Sequence, residues 1–177
     1  DIPVDNLLGN PIFVEYYGKM FADQAEEMVV VSPDVGSVAR ARAFAQKLGM
    51  SLAIVDKRRP KANSCEVMNI IGDVKGRDCI LFDDMVDTAG SICNAAKAII
   101  DVGGANSVHA CASHAVLSGP ALERINNSPI TEMAFLNTIP AIPTGKSDKI
   151  KYLSVAHMFA DAIERIYSEM SVSKLFS

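Results

Sequence analysis

Residues 79–100 read CILFDDMVDTAGSICNAAKAII, and this stretch decides the fold class. It begins in a short continuous apolar run, residues 78–82, which is typical of a strand buried on both faces of a parallel sheet. Residues 91–102 place apolar side chains on one helical face and are followed by two glycines, a common way for a helix to end. The stretch therefore predicts a strand, a short loop and a helix.

The rest of the chain repeats this alternation. Short apolar runs predict further strands at residues 28–31, 51–55, 67–71, 108–112, 132–136 and 150–153. Amphipathic or turn-bounded segments predict helices at residues 11–22, 38–48, 120–125 and 155–170. Residues 56–66 are polar and non-periodic, which predicts a long loop. This order predicts an α/β fold with a mainly parallel sheet flanked by helices, formed by all 177 residues as one domain.

The loop that joins residues 78–82 to residues 91–102 has the composition of an anion-binding site. Parallel sheets bind ligands beyond the carboxyl ends of their strands, where the start of a helix offers unpaired backbone N–H groups. Thr88 and Ser91 add hydroxyl donors, and Gly90 lets the backbone approach a phosphate closely. The loop lacks the GK[ST] of a Walker A motif, and the chain lacks the GxGxxG of a dinucleotide fold.

Two carboxylates, Asp83 and Asp84, come directly before this loop. Carboxylates beside a phosphate are unfavourable unless they accept hydrogen bonds from hydroxyl groups or hold a metal ion. A sugar phosphate suits both features, because its hydroxyl groups can bind the carboxylates while its phosphate binds the loop. The alternative is that Asp83, Asp84 and Asp87 are helix caps and surface carboxylates.

Two more polar segments are candidates for chemistry. Asp34 follows one predicted strand and precedes a helix, where a carboxylate can reach a Mg²⁺ ion that bridges phosphates. The alternative for Asp34 is a turn residue after Pro33. Four cations lie within five residues: Lys57, Arg58, Arg59 and Lys61. Such a run is usually a solvated face, but beside two acidic sites it can neutralise charge on phosphoryl oxygens.

Composition excludes several classes of function. A net charge of -4 and a pI of about 5.3 argue against nucleic acid or an anionic membrane as the main partner. No apolar run reaches the roughly 18–20 residues that span a bilayer. The cysteines show no CxxC spacing and are predicted to be buried free thiols in a reducing cytoplasm: Cys65, Cys79, Cys93 and Cys111. His109 is interpreted as a core or surface histidine, and His114 as structural, with the alternative that it lines the edge of the site; no role is assigned to His157.

Several motifs carry a family resemblance. FDDMVDTAGSI, residues 82–92, resembles the phosphoribosyl pyrophosphate signature of type I phosphoribosyltransferases, and more specifically that of ribose-phosphate pyrophosphokinases. VVSPDVGSVARARAFA (30–45) and DKRRPKAN (56–63) are similar to that family's pyrophosphate-side loop and flexible catalytic loop. SGPALERIN (118–126) and SVSKLF (171–176) look like further landmarks of the family. Two departures are Val-Gly-Ser after Asp34, where the family often has a Gly-Gly pair, and SHAVLSGPA (113–121) in place of the commoner Thr-His.

The resemblance implies a type I phosphoribosyltransferase-like fold and a reaction. The β,γ-diphosphate of ATP would move to the 1-hydroxyl of ribose 5-phosphate, giving phosphoribosyl pyrophosphate and AMP. It implies that ribose 5-phosphate is bound by Arg59, Asp83, Asp84, Asp87, Thr88, Ala89, Gly90 and Ser91. It further implies that Lys57 and Arg59 are catalytic, that Asp34 is a Mg²⁺ ligand and that ATP is the co-substrate.

The resemblance also implies that this chain is the C-terminal half of an enzyme about twice as long. Residues 1–22 and 171–177 are then expected to be a linker and a tail that pack on the missing half or on neighbouring subunits of a homo-oligomer. Ser171 and Ser173 would contact ADP or phosphate as regulatory ligands. Two rival functions are a nucleobase phosphoribosyltransferase, which needs a base-binding hood, and a non-catalytic regulatory subunit, which is expected to lose the catalytic cations or the acidic pair.

Overall fold

The computed structural model describes residue 2 and residues 4–58, 67–141 and 147–176. Every predicted strand and helix is present, with some changes of boundary. The strands are β1 (Met28–Ser32), β2 (Ser51–Arg58), β3 (Val67–Ile71), β4 (Asp78–Val86), β5 (Ser107–Ala115), β6 (Ile130–Leu136) and β7 (Ile150–Leu153). The helices are α1 (Asn10–Met20), α2 (Val38–Leu48), α3 (Gly90–Asp101), α4 (Ala121–Asn126) and α5 (Ala156–Tyr167), with short 3-10 turns at Ala25–Glu27 and Ser173–Phe176.

The strands form one seven-stranded sheet in the order β3-β2-β1-β4-β5-β6-β7. All neighbours pair in parallel except β2 and β3, which form an antiparallel pair at one edge. The prediction of a mainly parallel α/β sheet is therefore confirmed. The order reverses between β1 and β4, because the chain proceeds outward from β1 to β2 and, in the other direction, from β4 to β5.

The two faces of the sheet are covered by different helices. Val29 and Val31 of β1 belong to the apolar cluster under α3 and α4. This cluster also contains Ile92 of α3. The alternate residues Met28 and Val30 belong to the cluster under α1 and α2. This period of two is what an extended chain buried on both sides requires. The site is consequently built where helices of opposite faces begin.

Helix α1 is part of this core. Phe13 and Tyr17 are fully buried, and the Tyr17 hydroxyl donates a hydrogen bond to the Ala110 carbonyl at 3.1 Å. The expected linker therefore does not include residues 10–20. Ile2 and Val4, which come before the helix, are exposed.

Five strands, β1, β2, β4, β5 and β6, are longer than the sequence predicts, and the extensions of β2 and β4 bear on the site. β2 runs through Asp56 and Lys57 to Arg58, because its backbone pairs with β3 up to the partners Arg58 and Val67. The predicted loop at residues 56–66 is therefore wrong at its start. β4 continues past Phe82 to Val86, because β5 pairs with it as far as the partners Val86 and Ala115. Both extensions contain polar side chains, so a prediction of strands from apolar runs ends too early.

Candidate functional site

The candidate site lies at the carboxyl edge of β1 and β4, where the strand order reverses. In open α/β sheets this point leaves a crevice between loops that depart to opposite faces. A cavity of about 350 Å³ occupies it. Its lining residues are Asp34, Ser37, Arg40, Asp83, Asp84, Met85, Val86, Asp87, Thr88, Ala89, Gly90, Ser91 and Ile92. The structure thus brings together all the acidic and loop residues singled out above.

The loop of residues 87–91, here called the phosphate loop, forms one wall of the cavity. Ala89 occupies the N-cap position of α3 with a φ of 58°, and no side chain caps the helix. A helix start leaves its first N–H groups without helical partners, and they carry the positive end of the helix dipole. A non-glycine residue in the left-handed region is strained by about 1–3 kcal/mol, and such strain is often found at ligand sites.

The two carboxylates of the opposite wall differ in environment. Asp83 is half-buried, and burial, the largest influence, raises its pKa to about 6. Burial also acts on Asp84, but the charge and hydrogen bond of Arg40 outweigh it, so that the pKa of Asp84 is lowered overall. The Arg40 guanidinium donates to Asp84 Oδ2 at 2.7 Å. The pair therefore holds one firmly ionised carboxylate and one that gives up its proton less readily.

Arg40 also joins the acidic pair to Asp34. Its second nitrogen donates to the Ser37 hydroxyl at 3.1 Å, and the Ser37 backbone N–H donates to Asp34 Oδ1 at 2.8 Å. This chain of contacts fixes the loop after β1 against the end of β4. Sequence reasoning missed Arg40, because nothing in the local pattern distinguishes it from Arg42 on the same helix.

A divalent cation is compatible with this arrangement. Among the described residues there is no group of three or more His, Cys, Asp or Glu side chains that could hold a metal ion. Mg²⁺ does not need such a group, because it usually keeps several waters and takes one or two carboxylates together with substrate phosphates. Asp34 lines the same cavity as Asp83 and Asp84, so a cation bound by Asp34 would lie beside the acidic pair.

The remaining predicted residues are placed in different ways. Lys57 lies near the carboxyl end of β2, opposite Met68 of β3, on the same edge of the sheet as the cavity but not among its lining residues. Arg59 lies outside the described residues. Ser171 and Ser173 contact each other through their hydroxyls at 2.7 Å, and Arg165 donates to the Ser171 carbonyl at 3.3 Å.

Other expectations concern the thiols, the histidines and membranes. The cysteines in the described part of the chain are buried and free: Cys79, Cys93 and Cys111. His109 packs edge-on against Phe21, with ring centroids 5.2 Å apart, and His114 contacts the Thr138 hydroxyl at 2.8 Å. Among the helices of the described residues, none combines the length and the apolar character that crossing a bilayer requires.

A pH dependence of stability follows from Asp83. Its raised pKa means that the folded chain binds this proton more tightly than the unfolded chain does. Ionisation therefore costs stability, which falls as the pH rises from about 4 to about 6. Asp84 acts with the opposite sign, because its pKa is lowered: its contribution is lost as the pH falls.

We expect Asp83→Asn to raise the free energy of unfolding by about 1 kcal/mol near pH 7.5, after allowance for the hydration that the carboxylate retains. The gain should shrink towards pH 4, where Asp83 is protonated in the folded chain and about half protonated in the unfolded chain. Urea unfolding of both proteins at the two pH values measures this. A gain that is equal at both pH values would contradict the assignment.

The fold and site define a class of protein, the phosphoribosyltransferase-like α/β proteins. The solved adenine phosphoribosyltransferase of Saccharomyces cerevisiae has this fold, with a TM-score of 0.52 over 68% of this chain and 74% of its own. Its 18% identity extends the likeness to the fold alone.

Residues 58–177 match the family model of the phosphoribosyl synthetase-associated domain, and the chain belongs to this family. It is 60% identical to a ribose-phosphate pyrophosphokinase of Clostridium tetani, over 99% of this chain and 55% of that relative. The crystal structure of phosphoribosylpyrophosphate synthetase from Mycobacterium smegmatis is similar, with a TM-score of 0.83 and 36% identity over 96% of this chain and 54% of that one. The chain spans about half the length of the curated relatives it matches.

Proposed function

We propose that this chain is the ribose-5-phosphate-binding half of a ribose-phosphate diphosphokinase. The complete enzyme transfers the β,γ-diphosphate of ATP to the 1-hydroxyl of ribose 5-phosphate, and the products are phosphoribosyl pyrophosphate and AMP. The relatives named ribose-phosphate pyrophosphokinase support this proposal, since they match nearly all of the chain at 50–60% identity.

One observation carries the proposal. A single cavity has a helix-start phosphate loop on one wall and two carboxylates on the other. A phosphate and a set of hydroxyl groups need opposite electrostatic partners, and a sugar phosphate supplies both within one small molecule. Asp83 and Asp84 accept hydrogen bonds from the ribose hydroxyls, while the N–H groups of the loop and the hydroxyls of Thr88 and Ser91 bind the 5-phosphate.

The transfer requires charge to be neutralised on the diphosphate. The 1-hydroxyl gives up its proton to solvent as its oxygen forms a bond to the β-phosphorus, the bond from that phosphorus to the α,β-bridging oxygen breaks, and the electron pair of that bond leaves with AMP. Asp34 would hold a Mg²⁺ ion, which would supply positive charge to the phosphate oxygens. Lys57 and Arg59 stabilise the charge that develops on the diphosphate and on AMP. Positioning and electrostatics supply most of the catalysis in such reactions.

The proposal includes further contacts outside this chain. Four large apolar residues, Phe159, Ile163, Ile166 and Tyr167, are exposed along one side of α5. Contiguous exposed apolar surface usually marks an interaction site. This surface supports contact with the other half of the enzyme or with another subunit of a homo-oligomer.

The tail with Ser171 and Ser173 is proposed to contact ADP or phosphate. The free thiols favour the cytoplasm as the compartment.

Binding to the chain tests the proposal. We expect the 177-residue chain to bind ribose 5-phosphate in calorimetry, at least ~10-fold more tightly than ribose, which lacks the phosphate. With ATP and Mg²⁺ it should release little AMP. Absence of ribose 5-phosphate binding would contradict the site, and robust AMP release would contradict the half-enzyme. Pyrophosphate release from phosphoribosyl pyrophosphate that depends on a nucleobase would favour a phosphoribosyltransferase.

A further inference from the structure

The carbonyl groups of the phosphate loop are held by one segment of the chain, residues 117–124, here called the buttress. The Leu117 N–H donates to the Val86 carbonyl at 3.0 Å, and the Ser118 N–H donates to the Asp87 carbonyl at 3.0 Å. The Arg124 guanidinium donates to the Thr88 carbonyl at 2.9 Å. Three consecutive carbonyls are therefore turned towards the same side.

This pattern determines where the N–H groups point. In a trans peptide the carbonyl of one residue and the N–H of the next point in opposite directions. All peptide bonds of the described chain are trans. Fixing the carbonyls of Val86, Asp87 and Thr88 on the buttress therefore aims the N–H groups of Asp87, Thr88 and Ala89 away from it. That direction is the one in which a phosphate can accept their hydrogen bonds.

The buttress also accounts for the carboxylate of Asp87. A carboxylate in a phosphate loop would repel its ligand if it faced the ligand. Instead, the Ser118 hydroxyl donates a short hydrogen bond to the Asp87 carboxylate. The negative charge is thus turned to the buttress side together with the three carbonyl dipoles.

Two further observations indicate that this geometry is imposed on the chain. Leu117 has a φ of 50° and is buried, and Ala89 has a φ of 58° and is buried, so the buttress and the phosphate loop each contain a non-glycine residue in a strained conformation. Strain of this kind persists when surrounding contacts over-determine the backbone. In addition, a Cβ on Gly90 would lie 3.2 Å from Arg124 Nη1, so the glycine leaves room for the guanidinium.

We propose that Arg124 and Ser118 are positioning residues of the phosphate site. They hold the backbone N–H groups of residues 87–89 in the direction required by the phosphate of ribose 5-phosphate. The inference rests on the proposed function of this cavity and adds to it the device that prepares the loop for a phosphate monoester. Preorganised donors cost no reorganisation when the ligand arrives.

The test compares Arg124→Ala with a matched control, Lys97→Ala. Lys97 lies in the same groove between α3 and α4 and is exposed. Its replacement by alanine removes one positive charge, as Arg124→Ala does, but removes no hydrogen bond to the phosphate loop. We expect Arg124→Ala to weaken ribose 5-phosphate binding about 3–10-fold, as for the loss of one hydrogen bond, and Lys97→Ala to change it less than about 2-fold. Ser118→Ala should weaken it to a similar extent as Arg124→Ala.

Two readouts separate positioning from a general structural role. Binding of ribose, followed by NMR chemical shifts, should be unchanged in Arg124→Ala, because ribose does not use the phosphate loop. Amide hydrogen exchange at residues 87–89 should be faster in the unliganded variant than in Lys97→Ala. Arg124→Lys keeps a charged donor and should recover part of the affinity for ribose 5-phosphate. If the alanine variant is poorly folded, the binding measurements on this lysine variant still test the inference.

The outcomes distinguish the two proposals. If the parent chain does not bind ribose 5-phosphate, the proposed function fails, and the inference fails with it. If the parent chain binds and Arg124→Ala binds within about 2-fold of it, the inference is overturned while the proposed function stands. An equal loss of ribose and ribose 5-phosphate binding would also overturn it, because the effect would not be specific to the phosphate.

Discussion

Replacing Lys57 with alanine in the complete enzyme is expected to lower turnover by about 10²–10³-fold, by analogy with the loss of one donor to transition-state charge. Lys57 lies near the carboxyl end of β2, and β2 is separated from β4 by β1 alone. Adjacent strands are about 4.8 Å apart, so two intervals place the strand ends within the reach of a lysine side chain and a bound diphosphate. Under the proposed function, the Lys57 ammonium group acts on the transferring diphosphate and not on the sugar.

The measurement is steady-state kinetics with both substrates. Affinity for ribose 5-phosphate should stay within about 2-fold, because the lost interaction belongs to the transition state. Lys47→Ala is a suitable control, since Lys47 is exposed in the last turn of α2 and this helix runs from the carboxyl edge towards the opposite edge of the sheet. Unchanged turnover in Lys57→Ala would remove Lys57 from the mechanism.

The elements that sequence predicts well are bounded by strong local signals. Helix α2 spans Val38–Leu48 as predicted, and Gly49 ends it with a φ of 68° and an N–H that donates to the Ala45 and Gln46 carbonyls. β7 also has its predicted bounds, Ile150–Leu153. In both cases an apolar pattern and a turn residue agree. Local consistency of this kind makes boundaries predictable.

The misplaced boundaries have a tertiary cause. β4 extends through Asp83 and Asp84 because β5 pairs with it, and the side chains themselves are not those of a strand. The sequence predicts a helix at residues 11–22, and α1 spans Asn10–Met20, but the sequence does not predict that α1 belongs to the core, since Phe13 and Tyr17 are buried by α2 and the sheet. Neither fact is encoded in the local pattern.

The residues of the site also differ in whether a local sequence pattern or only the folded structure reveals them. Its acidic and loop residues lie in one continuous stretch with a recognisable composition, and the structure places them around one cavity. Their supports lie far away in the sequence: Arg40 is 44 residues from Asp84, Ser118 is 31 from Asp87, and Arg124 is 36 from Thr88. Single polar residues at such separations have no period or motif, so the folded chain is needed to find them.

Removal of either carboxylate from the acidic pair is the second large effect that we expect. Asp83→Ala and Asp84→Ala should each weaken ribose 5-phosphate binding by about 10–100-fold, since a hydrogen bond to a charged group contributes about 1.5–3 kcal/mol. Asp84→Ala additionally leaves Arg40 without its 2.7 Å partner, so that the cavity keeps a positive charge without its carboxylate. Asp101→Ala, at the far end of α3, removes an exposed carboxylate from outside the cavity and should have little effect.

Binding of a second ligand tests whether a carboxylate of the acidic pair accepts a hydrogen bond from the 2-hydroxyl of the sugar. 2-Deoxyribose 5-phosphate keeps the phosphate but lacks one donor, so the parent chain should bind it more weakly than ribose 5-phosphate. If a carboxylate accepts that hydroxyl, its alanine variant no longer distinguishes the two sugars, and the two losses are not additive. Calorimetry of both sugar phosphates with the parent chain, Asp83→Ala, Asp84→Ala and the control Asp101→Ala measures these differences in affinity. Should both alanine variants keep the parent preference for the 2-hydroxyl, the carboxylates do not bind it, and their charge would then belong to metal binding beside Asp34.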